Sequence, residues 1–141
     1  MARQLHVGLI GHRFMGKAHS NALRDLSMFF DPGAKVHMKV ICGVEDDIGE
    51  AAERYGWESY VRDWHEVVDD PEIDMIDISS TGATHRDIAV AAAKAGKHII
   101  CEKPLSMTAA EAKDMYEAVQ QHGVKNMVNF CYRRVPAVAL A

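Results

Sequence analysis

Cysteine is scarce in this chain: Cys42, Cys101 and Cys131 are widely spaced and odd in number, with no Cys-x-x-Cys pair. That excludes a disulfide framework and a zinc knuckle, and it fits a reducing cytoplasm. Long apolar runs are missing too. No stretch reaches the roughly 18 residues of a membrane-spanning helix, and the short run at residues 5–10, interrupted by His6, is too polar for a signal segment. Basic charge is not in excess, with 16 Lys and Arg against 20 Asp and Glu and a formal net charge of −4. A polyanion-binding surface is therefore disfavoured, and neither nucleic acid nor a membrane is expected as a partner. The eight histidines show no His-x-x-x-His or His-x-Glu spacing, so no metal site is expected.

What remains is ordinary globular material, 48% hydrophobic and 26% charged over 141 residues. A chain of this size hides roughly two-thirds of its unfolded surface and needs no staples. Short apolar runs at 5–10, 36–44, 75–79, 98–101 and 127–130 read as buried strands. Helical patterns lie between them. Residues 16–27 place Ala18, Ala22 and Leu26 on one face, and residues 84–95 do the same with Ile88, Ala91, Ala92 and Ala95. Thr108 with Glu111 predicts a capping box, and Gly123 the end of that helix. Thr84, Asp87 and Gly96 suggest the same arrangement one unit earlier. Residues 47–55 and 63–68 predict two short helices, the second stopped before Pro71. Strands alternating with helices call for an α/β fold, a doubly wound parallel sheet of the Rossmann type. In the tail, Pro136 is placed as a first-turn helix residue, and the apolar residues around it have nothing to pack on. The natural chain is expected to continue.

Four segments carry chemistry. Gly11-His-Arg13-Phe14-Met15-Gly16 stands where the first strand hands over to the first helix. There a dinucleotide-binding turn needs glycines for tightness, close approach and helix packing. Arg13 occupies the middle place, so the pattern reads equally as a plain strand-to-helix turn. Glu45, beside Asp46 and Asp47, follows the second strand, where a carboxylate accepts ribose hydroxyls and repels a 2′-phosphate. It favours NAD over NADP unless Arg13 takes up that phosphate, and a solvated acidic loop is the plainer alternative. Ser79-Ser80-Thr81 before His85 suits either a polar ligand or an ordinary cap. Glu102-Lys103-Pro104 ends a strand on the sheet edge where open parallel sheets bind ligands, and a lysine there can polarise an oxygen and assist its proton transfer.

Together these segments, with Gly16-Lys-Ala-His19 and the run from Gly96 to Leu105, resemble the glucose-fructose oxidoreductase, inositol dehydrogenase and rhizopine-catabolism (Gfo/Idh/MocA) oxidoreductases. The resemblance covers essentially all 141 residues. It implies a dinucleotide-binding domain over 1–134, with 135–141 beginning a linker helix to an α+β substrate domain that this chain lacks. It implies NAD as cofactor, with NADP the alternative, and hydride transfer from a sugar, cyclitol or related polyol. Lys103 is implied as the catalytic lysine near the nicotinamide and substrate, itself a cofactor contact, with Gly11 to Gly16 cradling the cofactor and Glu102 facing it. Glu45, Ser80, Thr81, His85 and Arg133 complete the expected contacts. Two departures from the family pattern are Arg13 itself and Thr81-Gly82, where Pro-Asn is common. The loop from Ser27 to Gly33 is reminiscent of members acting on anhydrosugars. Self-association is expected where the missing domain would leave apolar surface. A non-catalytic dinucleotide sensor is the competing reading, against which Lys103 argues, since a sensor has no use for it.

Overall fold

Every strand is separated from the next by a helix or a long crossover, so all the pairings come out parallel. The computed structural model describes residues 3–140. The order is β1 (Arg3–Ile10), α1 (Phe14–Phe29), β2 (Ala34–Cys42), α2 (Ile48–Tyr55), β3 (Ser59–Val61), α3 (Trp64–Asp69) and β4 (Met75–Ile78). Then come α4 (Gly82–Lys94), β5 (His98–Glu102), α5 (Ala109–His122), β6 (Asn126–Asn129), a 3-10 turn (Cys131–Arg134) and α6 (Pro136–Ala139). The strands form one sheet in the order β3-β2-β1-β4-β5-β6. The chain builds outward from β1 in one direction and then, from β4, in the other. The carboxyl ends of β1 and β4 thus flank the point where the winding reverses, which is where a crevice opens in such sheets.

Both faces are covered. Val7 and Leu9 of β1 pack with Ile41, Ile48, Ala52 and Trp57 on the side of α1 and α2. Ile10 joins Ile76, Ile78, Ile88, Ala92 and Val67 on the side of α3, α4 and α5. Adjacent residues of β1 serve opposite cores, as the two-residue period of a strand requires. Wholly buried isoleucines such as Ile76 each contribute roughly 2–3 kcal/mol.

The sequence expectations meet this structure unevenly. Thr108 accepts from the Glu111 amide while Glu111 returns to the Thr108 amide, and Gly123 closes the helix in the left-handed region at φ 65°. Pro136 does open a helix. The expected cap at Thr84 is corrected. That helix starts at Gly82, and Thr84 sits inside its first turn, donating its hydroxyl to the Thr81 carbonyl. The strand Ser59–Val61 escapes the sequence reading. It has three residues, the first two exposed, and exists because Val40, Ile41 and Cys42 offer it an edge.

Candidate functional site

The turn from β1 to α1 depends on two glycines, each for a measurable reason. Gly11 has φ +104°, and a Cβ there would lie 2.6 Å from the backbone of Ser79 and Ser80 at the end of β4. At Gly16 a Cβ would lie 1.9 Å from the Gly11 carbonyl oxygen. Removing both side chains lets the start of α1 press onto the turn. Arg13 is tolerated between them because its φ is an ordinary −70° and its side chain points outward. The 16-residue helix α1 has no side-chain cap and no acidic residue in its first turn. Its N-terminal amides are thus matched to an anion such as a pyrophosphate.

A cavity of about 390 Å³ opens at this point, between the ends of β1, β2 and β4. Gly11, Arg13, Phe14, Met15, Glu45, Ser80 and Thr81 line it, so seven of the expected contacts converge there. Gly16 is buried below. A larger groove of about 760 Å³ lies near the start of β2, among Leu23, Val36, Met38 and Trp57. It is at the wrong end of the strands for the chemistry above.

Charge at the cavity rim is arranged in pairs. Arg13 Nε lies 3.3 Å from Glu45 Oε1, and its Nη1 donates to Asp47 at 2.9 Å. Asp46 turns away to accept from Arg62 at 3.0 Å. His12, absent from the sequence reading, is buried beneath, with Nε2 on Asp47 Oδ1 at 2.9 Å. Its Nδ1 lies 3.4 Å from Glu45 Oε2 without the angle of a hydrogen bond, leaving a buried ring nitrogen unpartnered among the described residues. The His12 hydrogen bond, with Arg13 close by, holds the Asp47 carboxyl below its usual range. For Glu45, partial desolvation pushes upward but is outweighed by its own backbone amide and by Arg13, and its carboxyl is also lowered. Both carboxylates are therefore ionised acceptors at the end of β2, the place where ribose hydroxyls are read.

The remaining expected residues fall elsewhere. His85 is buried, its two ring nitrogens each 3.1 Å from a carbonyl oxygen, Ser80 on one side and Pro104 on the other. It thereby ties the end of β4 to the Glu-Lys-Pro turn. Glu102 is buried at the end of β5 among polar partners. Lys103 follows it, exposed, one strand beyond β4 on the same edge of the sheet. Arg133 sits in the 3-10 turn, its guanidinium carbon 5.8 Å from the Phe130 ring centre, outside the cavity lining.

Beside Lys103 is a group that sequence reasoning did not assemble. His19 Nδ1 is 2.9 Å from both oxygens of Asp77, and its Nε2 is 3.0 Å from Glu102 Oε1. Asn129 Nδ2 donates to that same Glu102 oxygen at 2.5 Å. One local signal was available: Asp77 interrupts the apolar strand Met75-Ile-Asp-Ile78, and a charge inside a buried strand needs a partner.

The glycine cradle, the uncapped helix terminus and the ionised Glu45 fit a dinucleotide. A family described as an oxidoreductase family with an NAD-binding Rossmann fold matches residues 5–130. Levoglucosan dehydrogenase of Pseudarthrobacter phenanthrenivorans is 50% identical over 141 residues, which is 99% of this chain and 36% of that protein. Inositol 2-dehydrogenase of Salmonella paratyphi B is 30% identical over 132 residues, 92% of this chain and 37% of that one. A solved structure of levoglucosan dehydrogenase in complex with NADH and levoglucosan superposes with a TM-score of 0.94 at 51% identity, over 98% of this chain and 38% of the other. The chain thus spans little more than a third of these relatives. By its sequence match and by the turn, acidic strand end and Glu-Lys-Pro edge described above, it belongs to the Gfo/Idh/MocA oxidoreductase family, for which it forms the NAD-binding Rossmann fold.

Proposed function

We propose that these 141 residues hold NAD for an oxidoreductase acting on a sugar, cyclitol or related polyol, with Lys103 as the catalytic acid–base group. The observation that carries the reading is the placement of the Gly11–Gly16 turn and Lys103 along one edge of the sheet, on β1 and β5 with only β4 between them. Gly11, Met15 and the first amides of α1 would hold the pyrophosphate, and Glu45 the adenosine ribose. Ser80 and Thr81 would lie against the far side of the cofactor. Bound there, NAD supplies a hydride acceptor. Lys103 would then meet the substrate oxygen at the open end of β5, where its neutral amine can accept the hydroxyl proton as the hydride leaves and the resulting ammonium can return it in the reverse reaction.

The substrate class follows from the relatives. Their names specify levoglucosan, inositol and apiose, all polyhydroxylated rings or sugars, and we take the same class for this chain. Residues 1–134 form the nucleotide-binding unit in this reading, and 135–141 lead toward a substrate-binding part. No helix among the described residues is long and apolar enough to cross a membrane, and we infer a cytoplasmic location from that and the unpaired cysteines. The exposure of Val138 and Leu140 supports self-association through the tail, to be read as elution volume against concentration.

The test is a chimera in which residues 1–141 replace the matching third of the Pseudarthrobacter levoglucosan dehydrogenase. NAD-dependent oxidation of levoglucosan or of myo-inositol supports the proposal. A folded chimera that binds NADH yet oxidises neither would favour the sensor reading.

A further inference from the structure

Four segments of the chain meet at one imidazole. His19 comes from α1, Asp77 from the interior of β4, Glu102 from the end of β5 and Asn129 from the end of β6, at separations of 58, 83 and 110 residues from His19. Asp77 and Glu102 are only 2% and 3% exposed. Two buried carboxylates a single ring apart repel one another unless a cation lies between them. Among the described residues His19 is the only basic side chain bonded to either of them, and it bonds to both.

The placement of the two carboxylates favours a charged ring. A neutral imidazole has one N–H and would turn a lone pair toward one of the two carboxylates. An imidazolium donates to both, at 2.9 Å to Asp77 and 3.0 Å to Glu102. Burial disfavours the charge on His19, but the hydrogen bonds and charges of Asp77 and Glu102 outweigh it and hold the ring above its ordinary value. The Ser79 hydroxyl, donating to Asp77 at 3.3 Å, supports the same arrangement.

Glu102 passes the constraint on. While Oε1 is held by His19 and Asn129, Oε2 accepts the backbone N–H of Lys103 at 3.1 Å. The carboxylate therefore links the nucleotide helix to the peptide that carries the lysine. Asn129 Nδ2 also lies 3.0 Å from His19 Nε2. If the ring loses its Nε2 proton, the amide can donate to the bare nitrogen and leave Glu102. Asn129 Nδ2 thus has two acceptors within reach, Glu102 Oε1 and a deprotonated His19 Nε2, and one proton on the ring selects between them.

We propose that His19 is the positioning residue for Lys103: as an imidazolium it joins Asp77 to Glu102, and through Glu102 it fixes the turn bearing Lys103 against the nucleotide-binding helix. The catalytic use of that position rests on the function proposed above, whereas the proton-dependent clamp does not.

The test uses this chain in solution, without cofactor or substrate. Nitrogen-15 spectra of the imidazole ring should show both His19 nitrogens protonated at pH 7. As pH rises, the backbone amide signals of Glu102 and Lys103 should move with the same midpoint as the His19 ring, and exchange of the Lys103 amide should speed about tenfold beyond the hydroxide-catalysed rise common to all amides, the scale of one lost charge-assisted hydrogen bond. His19→Gln should abolish the shared titration. Should that variant fail to fold, Asn129→Leu serves instead, since removing the alternative donor to Nε2 should raise the midpoint. A neutral His19 in one tautomer at pH 7, or a Lys103 amide indifferent to the His19 titration, overturns the proposal. Failure to bind NADH would instead count against the functional reading and leave these spectra unaffected.

Discussion

Arg13 Nε lies 3.3 Å from Glu45 Oε1 across 32 residues of sequence, so the cation at the mouth of the cavity between β1, β2 and β4 is already engaged by an acid of its own chain. Asp47 takes the other side of the guanidinium. A 2′-phosphate arriving here meets two carboxylates and an arginine that they occupy. The expected outcome is tighter binding of NADH than of NADPH by about fivefold or more, the scale of one partly solvated charge interaction. In the double variant Glu45→Ala, Asp47→Asn, Arg13 is released and the preference should shrink or invert. Calorimetric titration of each protein with both cofactors measures this, and an unchanged ratio in the variant would remove Arg13 and its acids from the explanation.

Legibility from sequence followed the range of the interaction. The capping box of Thr108 and Glu111 was readable because both bonds close within three residues. So was the α/β order, since buried parallel strands and amphipathic helices have different periods. The edge strand Ser59–Val61 was not, because its pairing with β2 and not its own composition makes it a strand. The same distinction divides the site. Glycines 11 and 16 announce a tight turn locally, but His12 and Asp47 meet over 35 residues. Nothing local in Gly16-Lys-Ala-His19 reveals that the histidine reaches Asn129 at the far edge of the sheet.

Gly16 offers a sharp test of the turn. Its absent side chain leaves room for the Gly11 carbonyl oxygen, which a Cβ would meet at 1.9 Å, and that neighbour is backbone with little freedom to move. Gly16→Ala should therefore lower stability by about 2 kcal/mol and weaken NADH binding by more than tenfold, because α1 must back away from the turn. Urea unfolding and a fluorescence titration with NADH report the two effects. Wild-type affinity in a folded Gly16→Ala protein would show that the close approach is not what holds the cofactor.

Stability should depend on alkaline pH through His19. The native ring binds its proton more tightly than the unfolded one, whose ordinary value is 6.5. The resulting contribution is complete below about pH 6.5 and is lost as pH rises through the raised native value. Melting temperature should fall over that window, and His19→Gln should be less stable at pH 6 with a flatter profile. A wild-type profile already flat from pH 6 to 9 would mean that the ring does not carry a native-state proton.

Chemistry is the last expectation, and it follows from what surrounds Lys103. Efficient hydride transfer needs the reacting carbon within about 3–3.5 Å of its acceptor in a pocket that fixes orientation and excludes water. In these residues the Lys103 side is open: the lysine is exposed, and Tyr132 and Phe130 beyond it are exposed as well. The 141 residues by themselves should therefore bind NADH and give no detectable turnover on levoglucosan or myo-inositol. Joined to the remainder of the Pseudarthrobacter relative, they should turn over, and Lys103→Ala in that chimera should lower kcat by about 100-fold, the usual loss for a positioned acid–base group. Its NADH affinity should stay near that of the parent chimera if, as proposed, the lysine acts chiefly on the substrate oxygen. Steady-state kinetics with a parallel NADH titration separate the two. Robust activity from residues 1–141 alone, or an unchanged kcat in the Lys103→Ala chimera, would place the proton transfer on another group.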